Sequence, residues 1–184
     1  MDVLAAGPCL KKDVVMFIRG ALFVGLLGIG ALALHAAPEY PAMGPDIFDQ
    51  HIKGEVLIDG AIARAQQEDK RILVLFGANW CPWCRRLHGI FAESPAVLAR
   101  LRAGFVLVYV DANFRNDRKR NAAILERYGD PIKKYGLPVL VVLERDGTQL
   151  ATQETNGLAA PTDEETVKRI TDFLARWAPS RESP

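Results

Sequence analysis

The chain has 184 residues, 49% of them hydrophobic and 24% charged, and a formal net charge of +1. This length allows one domain with a proper hydrophobic core and little besides. A charge so close to zero gives no indication of binding to nucleic acid or to another acidic polymer.

Residues 1–37 have the pattern of an export signal. The run from Gly20 to Leu34 carries no charge, Arg19 precedes it, and small residues follow it at positions 36 and 37. This order is typical of a cleaved signal peptide. An uncleaved N-terminal anchor is the alternative if the apolar run is extended back to Val14. Both interpretations predict export of the remaining chain to the periplasm or beyond, possible anchoring to the inner membrane, and membrane contact only through residues 14–34 if uncleaved.

The start of translation is a separate prediction. Met16 begins a compact signal peptide, whereas residues 1–15 include two acidic side chains and the odd Cys9. We therefore expect translation to begin at Met16, which the intact mass of the precursor checks. Cys9 stands before the apolar run and is expected to be lost with the leader, so Cys81 and Cys84 would be the only cysteines left.

Three parts are predicted after the leader. Residues 38–55 form a proline-rich linker that is extended and mobile. Residues 56–178 form the folded domain, and residues 179–184 form a frayed tail.

Hydrophobic periodicity predicts alternating helices and strands within the domain. The first helix has an apolar face formed by Ile58, Ala61, Ile62 and Ala65. The predicted elements are helices over 58–70 and 81–92, a helix capped by Ser94, a strand over 72–76, a strand over 105–110, a helix over 121–128, strands over 137–143 and 148–152 joined by a hairpin turn, and a helix over 166–177. The polar and basic loop over 111–120 is more typical of a solvated insertion than of a nucleic-acid patch.

Residues 72–84 combine the end of a strand, a turn and the start of a helix. Apolar residues run from 72 to 76, a turn follows, and helical spacing begins at Cys84. Cys81 is therefore expected at the first turn of a helix, where partnerless amide N–H groups and the helix dipole favour an anion. This position predicts that the pKa of Cys81 lies well below its free value of about 8.5, which makes the sulfur nucleophilic near neutral pH.

Cys81 and Cys84 form a Cys-x-x-Cys pair, which at a strand-to-helix turn is typical of a dithiol–disulfide redox centre. A disulfide across so short a loop removes little entropy from the unfolded chain, so its purpose is expected to be chemical. The alternative is half of a zinc site with His88 as a third ligand, although His88 is more simply a partly buried helix residue. Arg85 stands where haem attachment would require a histidine. The predicted redox centre includes no metal and no cofactor.

Four neighbours of the cysteines are predicted to shape the site: Trp80, Pro82, Trp83 and Arg85. Pro82 suits the first position of a helix, where its missing N–H costs nothing. The tryptophans can shield the sulfur and offer apolar surface to a partner chain. The charge of Arg85, together with that of Arg86, is expected to favour the thiolate further.

The segment from Ile72 to Cys84, with a tryptophan before the first cysteine, resembles the active-site region of the thioredoxin superfamily. Residues 136–138 (Gly-Leu-Pro) and the apolar run after them resemble that family's cis-proline loop and the strand that follows it. The likeness extends from about Val56 to Trp177 and is closest to the thioredoxin-like proteins of bacterial envelopes. It implies an α/β thioredoxin-like fold, in which a central mixed sheet has helices on both faces.

The resemblance also implies thiol–disulfide exchange with protein disulfides or dithiols outside the cytoplasm, as a reductase or interchange protein. Cys81 would attack the partner, and Cys84 would resolve the mixed disulfide. A cis bond before Pro138 would leave the backbone of Leu137 free to pair with the substrate chain. In an envelope compartment the reductive direction would also require a membrane electron donor.

Two departures from the thioredoxin pattern affect this expectation. Thioredoxins typically have a buried Asp six residues before the first cysteine, and Leu75 takes that place here, so no proton acceptor for Cys84 is visible locally. The dipeptide Pro82-Trp83 replaces Gly-Pro. Whatever stabilises the Cys81 thiolate makes the disulfide more oxidising, which leaves the direction of electron flow open.

A non-catalytic role is the alternative from a different class. The fold would then serve as a binding module, or it would carry zinc or copper through Cys81, Cys84 and His88. Metal that survives dialysis without exchange activity would support the carrier. Insulin reduction that is lost in Cys81→Ser would support the enzyme.

Overall fold

The computed structural model describes residues 44–115 and 120–180. The predicted leader with Met16 and Cys9, the first part of the predicted linker, residues 116–119 of the basic loop and residues 181–184 lie outside the described residues. The described part of the chain contains six α-helices, four β-strands and one turn of 3-10 helix. In chain order they are α1 Gly54–Glu68, β1 Arg71–Gly77, α2 Pro82–Glu93, α3 Pro95–Gly104, β2 Phe105–Asp111, α4 Ala122–Arg127, α5 Pro131–Tyr135, β3 Val139–Leu143, β4 Gln149–Glu154, the 3-10 turn Thr155–Gly157 and α6 Asp163–Arg176.

The four strands form one sheet in the order β2-β1-β3-β4. β1 pairs in parallel with β2 and antiparallel with β3, and β3 pairs antiparallel with β4. A mixed sheet of this kind needs one crossover connection between its parallel strands, and α2 and α3 supply it. The predicted α/β fold with a mixed sheet is confirmed.

Both faces of the sheet are buried, which explains why β1 reads as a continuous apolar run. Leu73 and Leu75 point to one face, where α2, α3 and α6 pack on them. Ile72, Val74 and Phe76 point to the other, where α1 and α4 pack. The helices therefore cover both faces, as the resemblance implied. Among the described residues, no helix combines the length and the apolar character needed to cross a bilayer.

Most predicted elements are present, but some ends differ because distant groups fix them. α1 begins at Gly54 rather than at residue 58, and the Gly54 amide donates to Asn121 Oδ1 at 2.8 Å, 67 positions away in the sequence. α6 begins three residues early because Thr162 Oγ1 accepts from the Glu165 amide at 3.2 Å and caps the helix. Ser94 holds the cap position of α3 without a side-chain capping bond.

The prediction of a linker over residues 38–55 is wrong for its described part. Residues 44, 45, 47 and 48 are hydrogen-bonded to Asn79 or Arg85, and the Phe48 side chain is fully buried in the core that includes the start of α2. A single buried aromatic ring in a segment rich in Pro, Asp and Gly does not create a periodic pattern, so sequence periodicity could not predict it.

The C-terminal end of the domain is fixed at the edge of the sheet opposite the cysteines. Arg71, the first residue of β1, pairs with Glu144 at 2.7 Å and donates to the carbonyls of Trp177 and Ala178. Pro179 packs beside Gly104. Pro179, the first residue of the predicted tail, therefore contacts the domain, and the fraying of residues 181–184 stays a prediction.

The close approach at Gly77 gives a testable prediction. A Cβ at this position would overlap the Phe48 ring and lie 3.0 Å from Cys84 Sγ. We expect Gly77→Ala to lower the free energy of unfolding by about 1–3 kcal/mol, because buried groups on both sides must shift. Urea denaturation measures the effect.

The matched control is Gly60→Ala in the middle of α1, where a Cβ meets nothing within 4 Å. This variant should raise the free energy of unfolding by roughly 0.5–1 kcal/mol, because alanine is the better helix former. Equal stabilities for the two variants would contradict the packing of Phe48 on Gly77.

Candidate active site

Cys81 and Cys84 are joined by a disulfide at the C-terminal end of β1, with their Cα atoms 5.2 Å apart. Cys81 is the residue immediately before α2, and Cys84 lies in its first turn. Cys84 is fully buried, whereas Cys81 keeps 4% of its surface exposed. Of the two sulfurs, Cys81 is therefore the one that a partner reaches first.

The backbone at the start of α2 is arranged around the Cys81 sulfur. The Cys84 amide donates to Cys81 Sγ at 3.2 Å, which is the position of a side-chain helix cap. Pro82 follows as the first helical residue, as predicted. When the disulfide is reduced, the same amide and the helix dipole would face a sulfur anion. The lowered pKa of Cys81 stays a prediction.

Trp80 is held on the side of the site that faces the loop after β2. Its Nε1 donates to Asn113 Oδ1 at 2.8 Å, and the Phe114 ring meets it edge-on. The Arg115 guanidinium stacks 3.6 Å from the Trp80 ring centroid, a cation–π contact. Trp80 is thus a packed residue with one partly exposed face.

Trp83, in contrast to Trp80, is an exposed residue. Its side chain is 53% exposed, and the Arg86 guanidinium lies 5.1 Å from its ring centroid. An apolar groove starts at Trp83 and continues along the surface between α2 and α6. Its lining includes Trp83, Leu87, Ile90, Pro138, Leu158 and Ile170.

The loop before β3 closes one end of this groove. The Leu137–Pro138 peptide bond is cis, Pro138 is buried and Leu137 is partly buried. The Thr155 hydroxyl donates to the Pro138 carbonyl at 3.0 Å, which fixes the loop against the end of β4. Pairing of the Leu137 backbone with a substrate stays a prediction.

Arg85 makes structural contacts that the sequence did not predict. Its guanidinium donates to the carbonyls of Asn79 at 2.9 Å, Pro45 at 2.9 Å and Gly44 at 3.4 Å. These bonds join α2 to the turn before Cys81 and to the N-terminal segment. Arg85 is therefore a structural cross-link, and its predicted effect on the thiolate stays a prediction.

His88 also has a defined partner. Its Nδ1 lies 3.0 Å from the Tyr109 hydroxyl, and the two rings meet edge-on. Burial raises the pKa of Tyr109 to about 12, so its phenol stays neutral. His88 is partly buried, as favoured from the sequence. Within residues 44–115 and 120–180, no group of three or more His, Cys, Asp or Glu is placed to hold a metal ion.

The position that holds a carboxyl in thioredoxins is apolar here. Leu75 is fully buried, in register with Tyr109 on one side and Leu140 on the other. A buried carboxyl is found instead at Asp111, at the end of β2 and in register with Gly77. Burial raises the pKa of Asp111 to about 6, and its ion pair with Arg120 Nε at 2.7 Å offsets this only in part.

Sequence reasoning missed several residues of the site: Phe48, Asn79, Asp111 and Asn113. Asn79 and Asn113 are both buried, and each holds a neighbour of Cys81 in place through its side-chain oxygen. The only available sequence signal was the position of Asn79, two residues before Cys81 in the turn after a buried strand.

Comparison with known proteins decides the family. Residues 56–145 match the thioredoxin-like family. The crystal structure of a disulphide isomerase from Xylella fastidiosa Temecula1 is 30% identical, with a TM-score of 0.61, and the match covers 72% of this chain and 96% of that one. The chain belongs to the thioredoxin superfamily. The predicted family is confirmed.

More distant relatives share the thioredoxin-like region. Nucleoredoxin from Mus musculus is 26% identical over 147 residues, which cover 67% of this chain and 33% of the relative. Nucleoredoxin from Homo sapiens is 25% identical over the same length. The chain spans about a third of the length of these curated relatives.

The buried carboxyl gives a prediction of pH dependence. Because the pKa of Asp111 rises from 3.8 to about 6 on folding, the native state binds the proton more tightly than the unfolded chain. Stability from this group is therefore complete below about pH 4 and is lost as the pH rises through about 6. Between pH 4 and pH 7, we expect Asp111→Asn to gain about 2–3 kcal/mol of unfolding free energy relative to the parent.

Urea denaturation over this pH range measures the difference, and Asp146→Asn is the control of opposite sign. The Thr148 amide donates to Asp146 and holds the pKa of that exposed carboxyl below its usual range. Any loss of unfolding free energy in Asp146→Asn should be present at pH 7 and should vanish in acid. If the difference in unfolding free energy between Asp111→Asn and the parent did not change with pH, this would contradict the raised pKa of Asp111.

Proposed function

We propose that the protein is a thiol–disulfide oxidoreductase that acts on protein disulfides outside the cytoplasm. The observation that carries the proposal is the Cys81–Cys84 disulfide at the start of α2, with the amide of the second cysteine directed at the first sulfur. The family and its bacterial disulphide isomerase relative support a redox reaction.

In the reductive direction, the reaction begins with the Cys81 thiolate. It attacks one sulfur of a partner disulfide, so a Cys81–partner bond forms, the partner disulfide breaks and one partner thiolate leaves. The helix terminus stabilises the thiolate before the attack. Cys81 takes this role because its sulfur is at the edge of the site, whereas Cys84 is fully buried.

Cys84 then resolves the mixed disulfide. Its thiol loses a proton, its sulfur attacks Cys81 Sγ, and the second partner thiolate leaves as the Cys81–Cys84 bond forms. Two electrons have moved from the protein to the partner. Run in reverse, the same pair oxidises a dithiol. Leu75 offers no carboxyl to take the proton, so water or the leaving thiolate is the expected acceptor.

The substrate is a polypeptide, and the groove beside the disulfide is suited to one. Trp83 and Pro138 bring apolar surface from α2 and from the loop before β3 to the same groove. An extended chain across it would place its cysteine near Cys81, and the backbone at Leu137 would pair with it.

Trp83→Ala should therefore raise KM for a protein substrate more than it lowers kcat.

The location and the electron source belong to the same proposal. The apolar segment at residues 20–34 supports export, and an exported reductase draws its electrons from a membrane donor. A fusion of residues 16–60 to a reporter that is active only after export tests the location. Cytoplasmic retention of the fusion would contradict it.

The roles of the two cysteines give the decisive prediction. Cys81→Ser should abolish reduction of insulin by dithiothreitol above the uncatalysed rate, because the attacking sulfur is absent and the remaining Cys84 sulfur is fully buried. Cys84→Ser should accumulate a mixed disulfide on Cys81, because the resolving sulfur is absent. Non-reducing electrophoresis and mass spectrometry detect the adduct and identify the partner in the native host.

The control is Arg100→Ala on the exposed side of α3, which should keep the parent rate. Insulin reduction that persists in Cys81→Ser would contradict the mechanism. Stoichiometric zinc or copper that survives dialysis in a protein without exchange activity would instead favour the carrier through Cys81, Cys84 and His88.

A further inference from the structure

The segment before α1 is attached to the turn that carries Cys81. Residues 44–48, here called the strap, cross the C-terminal edge of the sheet before the chain enters α1. Residues 77–81, here called the redox turn, lie beneath them. The two segments are about 30 positions apart in sequence and are joined by side chains rather than by a strand ladder.

Asn79 forms the centre of this attachment. Its Oδ1 accepts from the amides of Ile47 and Phe48, each at 2.9 Å, and its Nδ2 donates to the Phe48 carbonyl at 2.9 Å. The side chain is 1% exposed. The amide of Asn79 thus uses both its acceptor and its donor on the strap, in a place where an unmade bond is costly.

Arg85 makes the second attachment. Its guanidinium reaches the carbonyls of Gly44 and Pro45 in the strap and that of Asn79 in the redox turn. One side chain of α2 therefore holds both segments. All three of these Arg85 hydrogen bonds go to backbone carbonyl oxygens.

The strap inserts the Phe48 side chain into the hydrophobic core. Its ring is fully buried against Gly77, in the space where a Cβ would also meet Cys84 Sγ, and it packs edge-on against Tyr109 at a centroid distance of 5.6 Å. The ring therefore lies on the strap side of the site, beside the same glycine as the Cys84 sulfur.

We propose that the strap is part of the redox centre and that Phe48, Asn79 and Arg85 are positioning residues for Cys84. The strap keeps the Cys84 sulfur closed to outside thiols and disulfides, so that its one partner is the Cys81 sulfur. Without the strap, Cys84 would also attack small disulfides and form adducts that block the resolving step. This inference deepens the proposed function and rests on it.

The test measures the reactivity of Cys84 alone, in a Cys81→Ser background, with iodoacetamide as the probe. Alkylation forms a carbon–sulfur bond on Cys84 and releases iodide, so it does not depend on exchange activity. Adding Asn79→Ala or Phe48→Ala should raise the rate at least about tenfold, because each removes buried contacts that hold the site closed. Adding Phe48→Leu, which keeps an apolar group over Gly77, should keep the rate within about twofold of the background.

A destabilised control separates closure from general loss of stability. Ile58→Val removes a buried methylene on the opposite face of the sheet and should destabilise the domain by itself. It should leave Cys84 alkylation within about twofold of the background. If Phe48→Ala does not fold, Arg85→Ala, whose side chain is partly exposed, carries the test with an expected increase of about threefold.

Two results would overturn the inference: Cys84 remains as unreactive in the strap variants as in the background, or Ile58→Val raises the rate equally. A second readout uses the Cys81→Ser background and oxidised glutathione, because no neighbouring thiol can then resolve the adduct. With Asn79→Ala added, the Cys84 sulfur should attack oxidised glutathione, forming a Cys84–glutathione bond and releasing one glutathione thiolate, and tryptic mass spectrometry should find this adduct at least about tenfold above the level in Cys81→Ser alone. Loss of insulin reduction in the parent would remove the proposed function while leaving the alkylation result to be judged separately.

Discussion

The site depends on one close approach, between the last residue of β1 and the first turn of α2. Gly77 has no side chain, so the Phe48 ring and the Cys84 sulfur can both lie against its backbone. The helix can then begin at Pro82, after a short turn, with Cys81 as its cap and the Cys84 amide directed at the Cys81 sulfur. A larger residue at 77 would push the helix away from the sheet and move the sulfur from the helix terminus that favours its anion.

Three arginines lie near the disulfide, and each of them has contacts of its own. Arg85 is committed to backbone carbonyls, Arg86 to Asp163 and the Trp83 ring, and Arg115 to the Trp80 ring. The Cys84 amide and the helix dipole also face the Cys81 sulfur, and these groups are fixed by the fold and do not titrate. The predicted low pKa of Cys81 would then follow in part from the path of the backbone.

Much of the fold, and the cysteine pair, could be predicted from the sequence, and the reasons differ between elements. The strand over 72–76, the helix after Cys81 and the hairpin over 137–152 have strong local patterns, because their residues are either uniformly buried or closely spaced. Local pattern also predicted Cys81 and Cys84 as the redox pair. The position of Phe48, by contrast, depends on a bare glycine surface 29 residues later in the chain, and no local pattern encodes that. The start of α1 and the role of Arg85 were missed for the same reason, since each is set by contacts with distant backbone.

The two ends of the domain leave it at opposite edges of the sheet. Arg71 holds the carbonyls of Trp177 and Ala178 where β1 begins, and Asn79 holds residues 47 and 48 where β1 has ended. Seven residues of strand separate them, about 20 Å along the chain direction. A fluorescent label or carrier protein joined after residue 180 would therefore stand clear of the disulfide, whereas one joined just before Gly44 would crowd the path of incoming partners.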